Sequence, residues 1–144
     1  MKISIIGAGN VGALSAMRIA QYGLGDVVLI DVVKGLAQGK ALDLDDARAV
    51  LKVNYNIQGS DDINSIKDSA IVVIAAGLAR KPGMAREELL VKNSQILKEL
   101  CLNIKSLASC ATVIVVTNPL DLMTYLALKI TGFAKNKVLG LGVS

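Results

Sequence analysis

Lys2-Ile3-Ser4-Ile5-Ile6-Gly7-Ala8-Gly9-Asn10-Val11-Gly12 stands at the head of the chain, and its reading decides the fold. The isoleucine-rich run is a short buried strand, and three glycines spaced G-x-G-x-x-G interrupt it. A helical pattern follows from Val11 to about Tyr22, then a second apolar run, Val27-Val28-Leu29-Ile30, that ends in Asp31. Strand, glycine turn, helix, strand and acid in this order form the context that gives the glycine pattern its meaning. Gly7 allows a tight turn out of the strand, Gly9 leaves the backbone open to a pyrophosphate, and Gly12 lets the helix approach the sheet. The helix N-terminus offers free N–H groups and partial positive charge to phosphate. Asp31, 19 residues after Gly12, is placed to accept hydrogen bonds from a ribose and to repel a 2′-phosphate. The pattern predicts NAD rather than NADP, although Lys34 nearby offers a charge that a phosphate could use.

The same alternation continues outward. A second helix is expected over about 35–50, with Leu36, Ala37, Leu42 and Leu44 as core contacts, as Val11, Leu14, Ile19 and Ala20 are for the first. Residues 55–59 read as a third, edge strand, and 63–67 as a short helical turn. Ala70-Ile71-Val72-Val73-Ile74-Ala75-Ala76 is continuously apolar, as in a parallel strand covered on both faces. A long helix over about 86–107 carries Leu89, Asn93, Ile96, Leu97, Leu100, Ile104 and Leu107 at three- and four-residue steps. A fifth strand spans about 112–116, a fourth main helix runs from Leu120 to about Ile130 and stops at Gly132, and a sixth strand lies at about 137–141. Six strands alternating with helices predict an α/β, doubly wound, Rossmann-type parallel sheet. The expected order is 3-2-1-4-5-6, with a ligand across the carboxyl ends of the first and fourth strands. One domain is expected over residues 1–144.

Composition narrows the function. The chain of 144 residues has 53% apolar residues, one Phe, no Trp and a net charge of +4. Its Lys and Arg residues are scattered and its aromatics few, which speaks against nucleic-acid binding. No apolar run reaches membrane-spanning length, and the start of the chain does not read as a signal peptide. Cys101 and Cys110 form no C-x-x-C and read as small core residues in a reducing cytoplasm. The chain has no histidine, so an imidazole acid/base is not available on it.

Two loops at the predicted carboxyl edge carry polar groups. Residues 77–86 include Arg80, Lys81, Pro82, Gly83 and Arg86. Paired arginines over a cleft suit an anionic substrate, and a loop of this length can close as a lid; a basic solvated turn is the competing reading. Thr117-Asn118-Pro119 follows the fifth strand. Asn118 can serve a ligand, cap the next helix, or both.

With these motifs in view the chain resembles the lactate/malate dehydrogenases over nearly its whole length. Gly7-Ala8-Gly9-Asn10-Val11-Gly12 is similar to the family's opening, and Gly35-Leu36-Ala37-Gln38-Gly39-Lys40-Ala41-Leu42-Asp43-Leu44 to its second helix. Residues 77–86 resemble the malate form of its mobile loop, and Val116-Thr117-Asn118-Pro119-Leu120-Asp121 its loop after strand five. The resemblance implies that Gly7, Ala8, Gly9, Asn10, Val11, Gly12, Asp31, Asn93, Val116, Thr117 and Asn118 contact NAD. It implies that Arg80 holds the distal carboxylate of malate or oxaloacetate, that Asn118 hydrogen-bonds the substrate, and that Arg86 both binds it and polarises the reacting carbonyl. The family's catalytic histidine, its orienting aspartate and a third arginine lie beyond a strand like the one ending near Gly140. The chain is therefore expected to lack the C-terminal substrate domain, to bind NAD, and to be inactive alone. Apolar surface is expected near the C-terminus and along the helix of 86–107, and a homo-oligomer is implied. A domain of a lactate or other 2-hydroxyacid dehydrogenase and a non-catalytic dinucleotide-binding module are the alternatives.

Overall fold

The computed structural model describes residues 1–79 and 83–142. Its elements run β1 (Lys2–Ile6), α1 (Asn10–Gln21), β2 (Asp26–Ile30), α2 (Leu36–Leu51), β3 (Ile57–Ser60), a 3₁₀ turn (Ile63–Ile66), β4 (Ile71–Ile74), α3 (Arg86–Leu107), β5 (Thr112–Val115), α4 (Leu120–Thr131), a second 3₁₀ turn (Lys135–Lys137) and β6 (Val138–Gly140). All the pairings are parallel, and the sheet order is β3-β2-β1-β4-β5-β6, as expected. Asp62 caps the first 3₁₀ turn by accepting from the Asn64 N–H.

Period-two alternation divides the core. Ile5, Val27, Leu29, Ile57 and Val73 point to the face under α1 and α2. Ile6, Ile30, Val72, Ile74, Val113 and Val115 point to the face under α3 and α4. Both faces are apolar because parallel sheets are covered on both sides. The one hydroxyl inside β1, Ser4, is satisfied by a 2.7 Å bond to Ser69 Oγ.

Register sets the level of the loops. Ile6 pairs with Ile30 and with Ile74, and Ile74 pairs with Val115. The loops after β1, β2, β4 and β5 therefore leave the sheet at one edge and one height. α3 runs antiparallel to the strands it covers. Its 22 residues span about 33 Å at 1.5 Å per residue, whereas the four residues of β4 span about 13 Å. The first turns of α3 thus overhang the carboxyl edge.

Several core expectations are corrected. Val11 and Leu14 are each 55% exposed, because α1 presses on the sheet through Gly12, Ala16 and Ala20. This stripe at four-residue steps is small enough to bring helix and sheet close together. On α2 the buried residues are Ala37 and Ala41; Leu42 is exposed, while Leu36 and Leu44 pack at the core's margin. Cys110 is exposed rather than a core residue, since it follows α3 in a turn.

Cys101 does sit in the core, on the buried face of α3, and burial pushes its thiol up from an ordinary 9.0 to about 11. A thiol reagent is expected to modify Cys110 in the native chain and Cys101 only after denaturation, because the thiolate is the nucleophile. The linkage has a definite sign. The unfolded chain loses the Cys101 proton near pH 9 and the folded chain near pH 11, so this thiol lowers stability as pH rises across that interval. Melting curves at pH 8 and pH 10.5, compared with a Cys101→Ala variant, read it directly; an identical alkaline loss in the variant would remove the thiol as the cause.

Candidate functional site

The glycine loop is built by contacts that differ at each glycine. Gly7 has φ +105°, a conformation that glycine adopts freely. A Cβ on it would also lie 2.6 Å from the Ala76 nitrogen and 2.8 Å from the Ala75 carbonyl carbon, so the loop rests against the end of β4. A Cβ on Gly12 would lie 1.8 Å from the Gly7 carbonyl oxygen. Gly9 is different: a Cβ there meets nothing within 4 Å. Packing explains Gly7 and Gly12, whereas Gly9 leaves room for something outside the chain. Gly9 is also the N-cap of α1 and brings no side chain to the helix's free amides, which leaves them available to an anion.

Asp31 closes this cradle. Its Oδ2 accepts from the Ala8 N–H at 2.7 Å and its Oδ1 from the Val33 N–H at 3.0 Å. The carboxylate pins the glycine loop to the end of β2, and each oxygen keeps a further acceptor site for a ribose hydroxyl. Asn10 and Val11 stand exposed on the rim. These residues fit a dinucleotide: an open glycine for the pyrophosphate, uncapped helix amides and an acceptor one strand away.

The second half of the edge is gathered around α3. Thr117 is buried and its Oγ1 donates to the Ala76 carbonyl at 2.7 Å, with the Ile74 carbonyl at 3.3 Å. Asn93, on the buried stripe of α3 with Leu97, Leu100, Cys101 and Ile104, bonds to Leu78 and to Asn118. Val116 continues β5 and its N–H donates to the Ile74 carbonyl at 2.9 Å. Asn118 is exposed. It does not cap α4: Pro119 is the N-cap, with no side-chain hydrogen bond to the helix. The helix begins one residue later than a cap at Asn118 requires, and the Asn118 side chain is left exposed.

Arg86 is the first residue of α3, seven residues before Asn93. Two turns apart, the two share a face of the helix and stand about 10 Å apart along its axis. Arg86 is exposed and, among the described residues, has no ion pair. Glu87 and Glu88 follow it in the first turn, the favourable sign for a helix N-terminus. Arg80 lies outside the described residues, as do Lys81 and Pro82.

The lactate/malate dehydrogenase NAD-binding domain matches residues 1–140. The chain belongs to the lactate/malate dehydrogenase family. Malate dehydrogenase of Methanosarcina barkeri is 52% identical over 140 residues, which is 97% of this chain and 46% of that protein. Among solved structures, malate dehydrogenase of Plasmodium falciparum superposes with a TM-score of 0.93 at 43% identity, covering 99% of this chain and 45% of the other. A second structure of malate dehydrogenase from that organism, in complex with NADH, superposes at 0.88 with 38% identity, over 98% of this chain and 43% of the other. The chain therefore spans about half the length of the relatives it matches, and it is the family's NAD-binding domain.

Within this NAD-binding domain the structure brings Gly7–Gly12 and Asp31 together, and separately Asn93, Thr117 and Asn118. Two features of the site were not read from the sequence: the grip of Asp31 on Ala8 and Val33, and the bridging of two loops by Asn93. An Asn among leucines on a helical stripe was the visible signal for the second. Its partners lie 15 and 25 residues away, beyond any local pattern.

Proposed function

We propose that this chain is the cofactor-binding half of a malate dehydrogenase. In this reading NAD lies across the carboxyl edge, and a four-carbon dicarboxylate meets Arg80, Arg86 and Asn118. The observation that carries it is the open position at Gly9 beside uncapped helix amides and Asp31. NAD, when bound, supplies the hydride acceptor for oxidation of a secondary alcohol. The remaining work belongs to side chains. Gly7, Ala8, Gly9, Asn10, Val11 and Gly12 hold the pyrophosphate, Asp31 the ribose, and Asn93, Val116, Thr117 and Asn118 shape the nicotinamide end. Arg86 stabilises charge on the reacting oxygen. Arg80 pairs with the second carboxylate, and leaving it unpaired penalises a monocarboxylate such as pyruvate. Asn118 hydrogen-bonds the substrate.

With no histidine in the chain, proton transfer by imidazole has to come from protein beyond these residues. A homo-oligomer in a reducing cytoplasm belongs to the same proposal. The half-exposed Val91 and Leu102 along α3, with Leu139 in β6 and Leu141 just after it, give apolar surface that association would cover.

Calorimetric titration of the purified chain tests the reading. NADH is expected to bind at least about tenfold tighter than NADPH, about 1.4 kcal/mol. Tartronate, an unreactive dicarboxylate, is expected to tighten NADH binding more than oxamate, a monocarboxylate. Equal affinities for NADH and NADPH would overturn the cofactor assignment, and equal effects of the two acids would overturn the dicarboxylate assignment.

A further inference from the structure

Asn93 is polar where α3 is otherwise apolar, and it is 2% exposed. Its carboxamide is directed at loops. Oδ1 accepts from the Leu78 N–H at 2.8 Å, and Nδ2 donates to the Asn118 carbonyl at 3.2 Å and, more weakly, to the Leu78 carbonyl at 3.4 Å. One side chain thus fixes three elements: α3, whose first residue is Arg86, the loop after β4 at Leu78, and the loop after β5 at Asn118. The surroundings are shaped for it. A Cβ on Gly77 would come 2.7 Å from Thr117 Cγ2 and 3.4 Å from Asn93 Oδ1. Thr117 ties the same two strand ends one step nearer the sheet.

We propose that Asn93 is a positioning residue that sets Arg86 and Asn118 as one unit, through its bonds to Leu78 and Asn118. The inference rests on the dicarboxylate reading given above, because it concerns how the two substrate groups are held. The amide is suited to this role because it both accepts and donates. A carboxylate in its place keeps the acceptor for the Leu78 N–H and loses both donors; a protonated carboxyl regains one donor. A carboxyl buried at this position titrates well above the ordinary aspartate range, because burial disfavours its charged form.

This gives a test with a pH signature. In the wild-type chain, tartronate is expected to tighten NADH binding about tenfold, within the usual range of coupling between sites, at both pH 8.5 and pH 6.0. In Asn93→Asp the coupling is expected to fall below about twofold at pH 8.5 and to recover to within about twofold of wild type at pH 6.0. Hydrogen exchange at the Leu78 amide is read on the same samples without ligand. It should be slow in wild type and in Asn93→Asp, and fast in Asn93→Leu. Wild-type coupling in Asn93→Asp at pH 8.5 would overturn the role, and so would coupling lost equally at both pH values. Rapid Leu78 exchange in wild type would overturn it independently of any ligand. Absence of tartronate coupling in the wild type overturns the dicarboxylate reading instead, and the Leu78 exchange series then decides whether the brace exists.

Discussion

Gly12→Ala lowers the melting temperature of the chain by about 8 °C. The added methyl carbon would lie 1.8 Å from the Gly7 carbonyl oxygen, 3.0 Å from the Gly7 carbonyl carbon and 3.5 Å from Ile5 Cγ2. The first contact is with backbone, so no side-chain rotation relieves it. Either α1 lifts off the sheet or the glycine loop moves. Lifting α1 loosens Ala16 and Ala20, which share its buried stripe. Moving the loop disturbs Gly7, whose N–H donates to the Ile30 carbonyl at 2.7 Å, and Ala8, which is held by Asp31. Forcing extra volume into a packed site costs about 3 kcal/mol at the upper end of the usual range. Alanine returns about 1 kcal/mol through its better helix propensity. The net loss of about 2 kcal/mol corresponds to about 8 °C for a chain of this size. Both the glycine loop and the first turn of α1 form the proposed cofactor cradle, so either movement is expected to weaken NADH binding in the same variant. Thermal denaturation and an NADH titration read the two effects, and an unchanged melting temperature would refute the contact.

The close contact of α1 with the sheet belongs to the part of the fold that the sequence hides, and the strands to the part that it displays. Strands announced themselves, because a parallel sheet covered on both faces needs runs such as Ile71-Val72-Val73-Ile74, and few other structures do. The glycine turn between β1 and α1 was legible because it depends on local spacing. The buried face of α1 was not. Large apolar side chains at Val11 and Leu14 suggested one face, but close approach selects small residues, and Gly12, Ala16 and Ala20 carry little hydrophobic signal. The state of Asn118 turned on one residue of helix boundary. With Pro119 as N-cap, the Asn118 side chain stands a position too early to cap α4. The hydrogen bonds of Asn93 were not legible either: the expected order puts the two loops on neighbouring strands, but which of their backbone groups meet one side chain of α3 depends on the register of those strands and the placement of the helix. Arg80, to which the proposed preference for a second carboxylate is assigned, lies outside the described residues, so that part of the proposal rests on the sequence resemblance alone.

Gly9→Ala should separate two effects that Gly12→Ala joins: it weakens cofactor binding and leaves the fold standing. Gly9 has φ −67° and ψ −172°, an extended conformation that alanine adopts without strain. Its Cβ would have no protein atom within 4 Å. Two small effects on stability then oppose each other. Glycine is somewhat better than alanine as an N-cap, while alanine reduces the freedom of the unfolded chain. Each is below about 1 kcal/mol, so the melting temperature stays within about 3 °C of wild type. The ligand meets a different surface. The backbone at Gly9 is where a pyrophosphate would come close to the amides of α1, and a methyl group there holds it away. Losing or lengthening one or two charge-assisted hydrogen bonds costs about 2 kcal/mol, which is roughly thirtyfold in affinity. Calorimetry with NADH and a parallel melting curve make the comparison. Wild-type NADH affinity in Gly9→Ala would mean that the pyrophosphate does not pass over this residue, and an affinity loss matched by unfolding would mean that Gly9 serves the fold. Only the dissociation of the two quantities, stable fold and lost affinity, agrees with a glycine whose missing side chain is space reserved for the cofactor.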